Sequence, residues 1–252
     1  MIAHIFSLRH KKGSREFYFT REDIADAAQK LGIILPKNLG DIIYSVRYRT
    51  DMPANVIETQ PKEHEWVIQG AGKGKYRFKL VRVHKIIPRE ELLAIKIPDA
   101  TPEIIGAYAL GDEQALLAKV RYNRLVDIFL GVAAFSLQNH LRTSVANIGQ
   151  VEIDEIYVAL DKMGRQFAIP VQAKAGNDRH GVVQTAQDIA CCREKFPNLI
   201  CRPLSVQFLS DDRIAMFELC DENGEIKVVD EKHYQLVPAS KISEEELATY
   251  NR

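Results

Sequence analysis

Gln150–Leu160 (QVEIDEIYVAL), Asp161–Gln166 (DKMGRQ) and Phe167–Ala175 (FAIPVQAKA) read as strand, turn, strand. Side chains alternate along a strand, so Glu152, Asp154 and Ile156 share one face and Val151, Ile153 and Glu155 the other. On the second strand, Pro170, Gln172 and Lys174 share a face, while Ile169, Val171 and Ala173 fill the opposite one. A turn this short implies antiparallel pairing, which brings Asp154 near Gln172 and Lys174. A carboxylate, an amide oxygen and an ammonium then emerge together from an otherwise apolar sheet. Charges on buried strands are costly unless paired or metal-bound, so the trio asks for a chemical purpose.

Metal-assisted phosphodiester hydrolysis suits that set. Mg²⁺ takes hard oxygen ligands and keeps several waters. Asp154 would hold it directly, with Gln172 and the backbone carbonyl of Ala173 completing the protein's share. The metal polarises a phosphate and lowers the pKa of a bound water. Lys174 would orient or deprotonate that water and offset developing negative charge. Asp154 followed by Gln172-Ala173-Lys174 resembles the signature of the PD-(D/E)xK nuclease superfamily, and more closely its Mrr-like D…QxK variant among restriction endonucleases. The resemblance covers roughly residues 113–210. It implies that Asp154, Gln172 and Lys174 carry metal binding and catalysis, with Mg²⁺ as cofactor and Mn²⁺ as its substitute. It makes Glu152 a candidate second acidic ligand. Gln184 and Gln187, on the helix that follows, become candidates to face the site, and Glu113 or Asp127 the options for an upstream carboxylate. Ile153 stands where the family's name has proline. By analogy with duplex cutters, the resemblance also implies a homodimer.

Around this hairpin, the apolar stripe Leu116, Leu117, Val120, Leu125, Ile128, Phe129, Val132 and Phe135 predicts one long buried helix upstream. Asn139–Arg142 would end it; His140 or Arg142 could touch the scissile phosphate there, but a helix C-terminus favours cations in any case. Downstream, 180–195 reads as a helix that Pro197 ends. Leu204–Leu209, Arg213–Leu219 and Glu225–Val229 read as strands, and Ser243 caps a short terminal helix. The resulting class is α/β (α+β), a restriction-endonuclease-like mixed central sheet flanked by helices.

The first hundred residues follow a different pattern. Arg9–Arg15 (RHKKGSR) is a basic loop and Phe17–Phe19 a short strand. Thr20 and Asp23 form a short-armed capping box for a helix that Gly32 stops. Leu39, Ile42, Ile43 and Val46 mark a second helix. Two strands, Glu65–Gln69 and Lys75–Val83, flank the glycine-rich tip Gln69–Gly74 (QGAGKG). Helix, helix and basic hairpin is the order of a winged helix-turn-helix module. Lys37, Asn38, Arg47 and Arg49 then become candidates for contacts to double-stranded DNA from the second helix. Lys73 and Lys75 offer a wing, and Arg179, just after the QxK strand, could line a DNA groove. The glycine-rich tip does not fit a phosphate-binding P-loop, because no helix follows it. Proline at 98 and 102 places the linker near 98–102, giving a winged-helix-like domain over 1–100 and a nuclease domain over 101–252.

The chain has 252 residues and no net formal charge, with 46% hydrophobic residues, which excludes wholesale disorder. The balance hides an asymmetry: residues 1–100 hold 18 Lys+Arg against 12 Asp+Glu, and residues 101–252 hold 16 against 22. The most apolar stretch, Ile128–Leu137, is far too short to span a membrane. Ile2–Leu8 is too short for a secretory signal. The four cysteines form no CxxC pair and have no zinc spacing with the histidines. They read as reduced thiols, so the expected location is the cytoplasm. The expected activity is that of a Mg²⁺-dependent DNA endonuclease of the restriction type. Its rivals are a non-catalytic DNA-binding regulator built on a degenerate nuclease fold, and a repair or recombination nuclease acting on branched or damaged DNA.

Overall fold

The computed structural model describes all residues except Arg49, Asp51, 83–85, Leu110, 176–180, 210–211 and Arg252, together with the side chains of Tyr44, Arg47 and Tyr48. The candidate DNA contacts Arg47 (its side chain), Arg49 and Arg179 therefore lie outside the described residues. The chain forms two compact units, Met1–His84 with Ser144–Val151, and Lys85–Thr143 with Glu152–Arg252.

The first unit runs α1 (Ile2–Arg9), β1 (Glu16–Thr20), α2 (Arg21–Leu31), α3 (Gly40–Tyr48), α4 (Ala54–Ile57), β2 (His64–Gly70) and β3 (Lys75–Arg82). Its antiparallel sheet has the order β1-β3-β2. The sequence reading missed α1. Its buried residues Ile2, Ile5 and Phe6 fall at helical spacing, but eight residues give too short a periodic signal. Phe6 packs edge-on against Phe17, Trp66 and Phe78, which ties α1 to the sheet. The capping box forms as expected. The Thr20 backbone N–H donates to Asp23 at 2.8 Å, and the Asp23 N–H donates to the Thr20 hydroxyl at 3.4 Å. Gly32 ends α2 in the left-handed region at φ 62°. The β2–β3 tip also forms where the glycines predict it, with Gly72 at φ 111° and Gly74 at φ 71°. Gly70 admits no side chain, because an added Cβ would lie 1.6 Å from the Ile148 carbonyl oxygen.

The second unit contains β4 (Ala94–Pro98), α5 (Glu103–Tyr108), α6 (Glu113–Tyr122), α7 (Leu125–Leu130), β5 (Ala133–Val145), β6 (Gly149–Leu160), β7 (Gln166–Lys174) and α8 (Val182–Lys195). The short β8 (Ile200–Cys201), then β9 (Leu204–Phe208), β10 (Arg213–Glu222), β11 (Glu225–Val237) and α9 (Glu244–Tyr250) complete it. The strand order is β4-β11-β10-β9-β7-β6-β5, with β8 beside β7. β7 is parallel to β9 and antiparallel to β6, so the sheet is mixed. Leu116, Leu117 and Val120 of α6 cover Ile169, Val171 and Ala173 on one face. Ile189 of α8 packs with Ala215 and Phe217 on the other. A strand covered on both faces reads as a continuous apolar run, as β7 does. No helix among the described residues is long and apolar enough to cross a membrane.

Two expectations about this unit need correction. The long helix over 116–135 does not exist. Asn123 ends α6, Arg124 turns the chain at φ 50°, and Gly131 stops α7 at φ 64°. The Asn123 side chain holds this break by bonding the Ala100 N–H at 2.7 Å and the Thr101 hydroxyl at 2.8 Å. Ala133 onward becomes β5, so 139–142 lies in an edge strand rather than at a helix end. The expected linker at 98–102 is displaced as well. β4 pairs in parallel with β11, and Ile95 and Ile97 pack against the large core. The first stretch of unit one therefore ends at 84, and Ser144–Val151 also belongs with that unit.

Candidate functional site

The β6–β7 ladder pairs Glu155 with Val171 and Ile156 with Pro170. Continuing that register sets Asp154 against the C-terminal end of β7. Its Oδ2 accepts a hydrogen bond from the Ala173 N–H at 2.9 Å. Burial pushes the Asp154 carboxyl up; the Ala173 N–H and the Lys174 ammonium pull it down, and Glu113 opposes them. Lys174 is the last residue of β7, and its Nζ lies 3.2 Å from Glu113 Oε1 at the start of α6. Asp112 caps that helix through the Ala115 N–H at 2.9 Å, which fixes where Glu113 projects. Of the two upstream carboxylates, the structure thus brings Glu113 to Lys174. Asp127 is engaged elsewhere, with Arg124 and the Ala134 N–H.

Gln172 is fully buried. Its Oε1 accepts from Gln184 Nε2 of α8 at 2.6 Å. Its Nε2 donates to Asp188 Oδ2 at 2.9 Å and to the Glu152 carbonyl at 3.2 Å. The amide oxygen is therefore satisfied within the protein, and Gln172 links β6, β7 and α8. Gln187 is buried on the same helix. Asp188 was not singled out from the sequence, because one acidic residue within an apolar-periodic helix gives no signal. Only 1% of it is exposed, and its Oδ1 has no hydrogen-bond partner among the described residues. Burial drives its carboxyl well above the ordinary 3.8, and Asp154 adds to the rise. A folded-state pKa above the unfolded value gives stability that is complete at acid pH and lost as pH rises through the folded value. Wild type is thus expected to lose melting temperature relative to Asp188→Asn as pH rises above the ordinary 3.8. Parallel melting curves for the two proteins would refute this.

Glu152 faces the edge strand. Its Oε1 is 3.0 Å from Arg142 Nη2 and 3.5 Å from His140 Nδ1. The expected second acidic ligand is thus held by two basic side chains. On the opposite face of β6, Glu155 is completely buried, takes both Nε and Nη2 of Arg121 at 2.9 and 3.0 Å, and accepts from Ser136 at 2.5 Å. This network fastens α6 to β5 and β6. It went unnoticed in the sequence because its members are far apart along the chain.

Among the described residues there is no group of three or more His, Cys, Asp or Glu side chains placed to hold a metal ion. Mg²⁺ does not need such a cage, because it is usually held by one or two carboxylates and keeps its waters. Asp154 and Glu113 would supply such a pair: Glu113 lies 3.2 Å from Lys174 Nζ, and both residues act electrostatically on Asp154. Donor type and charge therefore fit Mg²⁺, whereas Gln172 would have to release Gln184 to act as a ligand.

In the first unit, Lys37 and Asn38 are exposed just before α3. Asn38 works as a cap there: its Oδ1 accepts from the Gly40 N–H at 3.0 Å and its Nδ2 donates to Asp41 at 2.8 Å. Lys73 and Lys75 are exposed at the β2–β3 tip. The four cysteines are unbridged, and Cys191 and Cys192 are buried on α8. Comparison with protein-family models, with curated proteins and with solved structures gives no match.

Proposed function

We propose that the protein is a Mg²⁺-dependent nuclease that hydrolyses phosphodiester bonds in double-stranded DNA. The observation that carries this reading is the meeting of Asp154 from the middle of β6, Lys174 at the end of β7 and Glu113 at the start of α6. When bound, Mg²⁺ supplies Lewis acidity and a more acidic water. Asp154 and Glu113 would hold it, with the Ala173 carbonyl beside them. The Ala173 N–H orients Asp154 through Oδ2, and Oδ1 would be the oxygen that holds the cation. Lys174 places a positive charge where the phosphate gains negative charge, in a site partly withdrawn from water. Gln172 acts here chiefly by position, because Gln184 and Asp188 clamp it and it locks β7 to α8.

The first unit supports a DNA-binding partner for this site. Its order α1-β1-α2-α3-β2-β3, interrupted by the short α4, and its sheet order β1-β3-β2 are compatible with a winged helix. In that reading α3 enters the major groove and Lys73 and Lys75 of the wing meet backbone phosphates. The second reading, a DNA-binding regulator on a degenerate nuclease fold, draws on one observation: the Gln172 oxygen is already taken by Gln184.

Digestion of genomic DNA, methylated and unmethylated, with Mg²⁺ or with EDTA separates the readings. Discrete fragments that require Mg²⁺ are expected of a restriction-type enzyme, and a smear would mean a less selective nuclease. A clear band shift without cutting on any of these DNAs would overturn the proposal in favour of the regulator.

A further inference from the structure

Among the described residues, six non-glycine residues have positive φ: Glu63, Arg124, His140, Asn147, Asp212 and Asn223. Five of them occupy turns or bends, where such backbone is ordinary. His140, at φ 48°, alone lies inside a strand. β5 is the outermost strand of its sheet, and a left-handed residue there breaks the regular alternation and re-aims the side chain. Strain of this kind persists only where the surroundings hold it, and it gathers at functional sites.

The re-aimed imidazole points toward the carboxylate cluster. Its Nε2 is 3.1 Å from the Gln114 side-chain nitrogen, next to Glu113 on α6. Its Nδ1 is 3.5 Å from Glu152, two residues before Asp154, and the ring acts electrostatically on Asp154 itself. Two residues along β5, Arg142 reaches the same Glu152 oxygen. Both side chains remain more than half exposed. A basic pair thus stands in solvent beside the proposed cation site, tethered but accessible, on the rim that an incoming polyanion meets first.

We infer that His140 and Arg142 form the phosphate-contacting wall of the site, donating N–H groups to a non-bridging oxygen of the phosphodiester that is cut. This rests on the nuclease reading above and adds residues that it does not need. Arg142 contributes a fixed guanidinium charge. His140 contributes its Nδ1–H, which Glu152 holds until the phosphate arrives, while the Gln114 amide donates to Nε2 and fixes the ring.

The test uses the full chain and an oligonucleotide duplex carrying the bond that wild type cuts, with either phosphorothioate diastereomer at that bond. His140→Gly, His140→Ala and Arg142→Ala are compared with wild type in single-turnover cleavage and in thermal melting. Glycine adopts φ 48° without strain, so His140→Gly should melt at or above the wild-type temperature. It should nevertheless cut about 100-fold more slowly, as when one preorganised donor is removed. One diastereomer that slows wild type should give no further slowing in the His140 variants. Wild-type cleavage by His140→Gly would overturn the inference, as would slow cleavage explained by a lowered melting temperature. An unchanged diastereomer penalty would also overturn it, by placing the contact elsewhere. If wild type itself cuts no DNA, the nuclease reading fails first and this inference with it.

Discussion

Asp154→Asn is expected to lower Mg²⁺-dependent DNA cleavage by about 10³-fold or more while leaving the melting temperature close to that of wild type. The two effects separate because of how Asp154 sits. Asparagine has the same shape and can still accept from the Ala173 N–H through its amide oxygen, so the β6–β7 contact survives. Burial already costs the Asp154 carboxylate free energy, so a neutral amide should be tolerated there. What is lost is the negative charge that holds a divalent cation. Removing one electrostatic stabiliser of a phosphoryl transition state costs about 10²–10³ in rate, and losing the metal removes the water activation as well. Cleavage by Asp154→Asn within tenfold of wild type would place the catalytic centre elsewhere.

Arg121→Ala should show the opposite pattern, a large loss of stability at a residue outside the proposed chemistry. Glu155 is wholly buried, and Arg121 neutralises it through two N–H donors. Truncating the arginine leaves a buried carboxylate without its cation, although the Ser136 hydroxyl stays beside it, and breaking a buried pair in this way costs about 3–5 kcal/mol. That is a large part of the ~5–15 kcal/mol that holds a typical domain together. The double variant Arg121→Met with Glu155→Leu removes both charges and should recover most of the loss, since apolar replacement of a buried pair is often neutral. Urea or thermal unfolding of the single and double variants checks both statements. A single variant as stable as wild type would contradict them.

What the sequence made legible was local. The alternation in Gln150–Leu160, the short turn and the apolar run after it were enough to place β6 and β7 and to bring Asp154 to the end of β7. The Thr20–Asp23 box and the glycines of the β2–β3 tip were equally readable, because caps and turns depend on neighbours within a few residues. Failures came where partners lie far apart in the chain. The run from Leu116 to Phe135 is apolar enough for a helix, and only the Asn123 bonds to residues 100–101 and the pairing of β5 with β6 decide otherwise. Pro98 and Pro102 looked like a linker, yet β4 joins the large sheet because Ile95 and Ile97 reach its core.

The candidate site divided in the same way. Asp154 and Lys174 were found by motif. Glu113 was one of two options, separated only by the way Asp112 caps α6 beside Lys174. Asp188 and the Arg121–Glu155 pair left no periodic mark in the sequence. His140 and Arg142 were assigned to a helix end, and their position beside Glu152 follows from β5 being a strand.

The central claim is tested most directly by conversion of supercoiled plasmid in Mg²⁺ by wild type and by Lys174→Ala, purified in parallel and both confirmed folded. The account expects wild type to nick or linearise the plasmid, EDTA to stop it, and Lys174→Ala to leave the plasmid supercoiled while still shifting it on a gel. Cutting at equal rates by both proteins would contradict the account, and so would an intact plasmid with both.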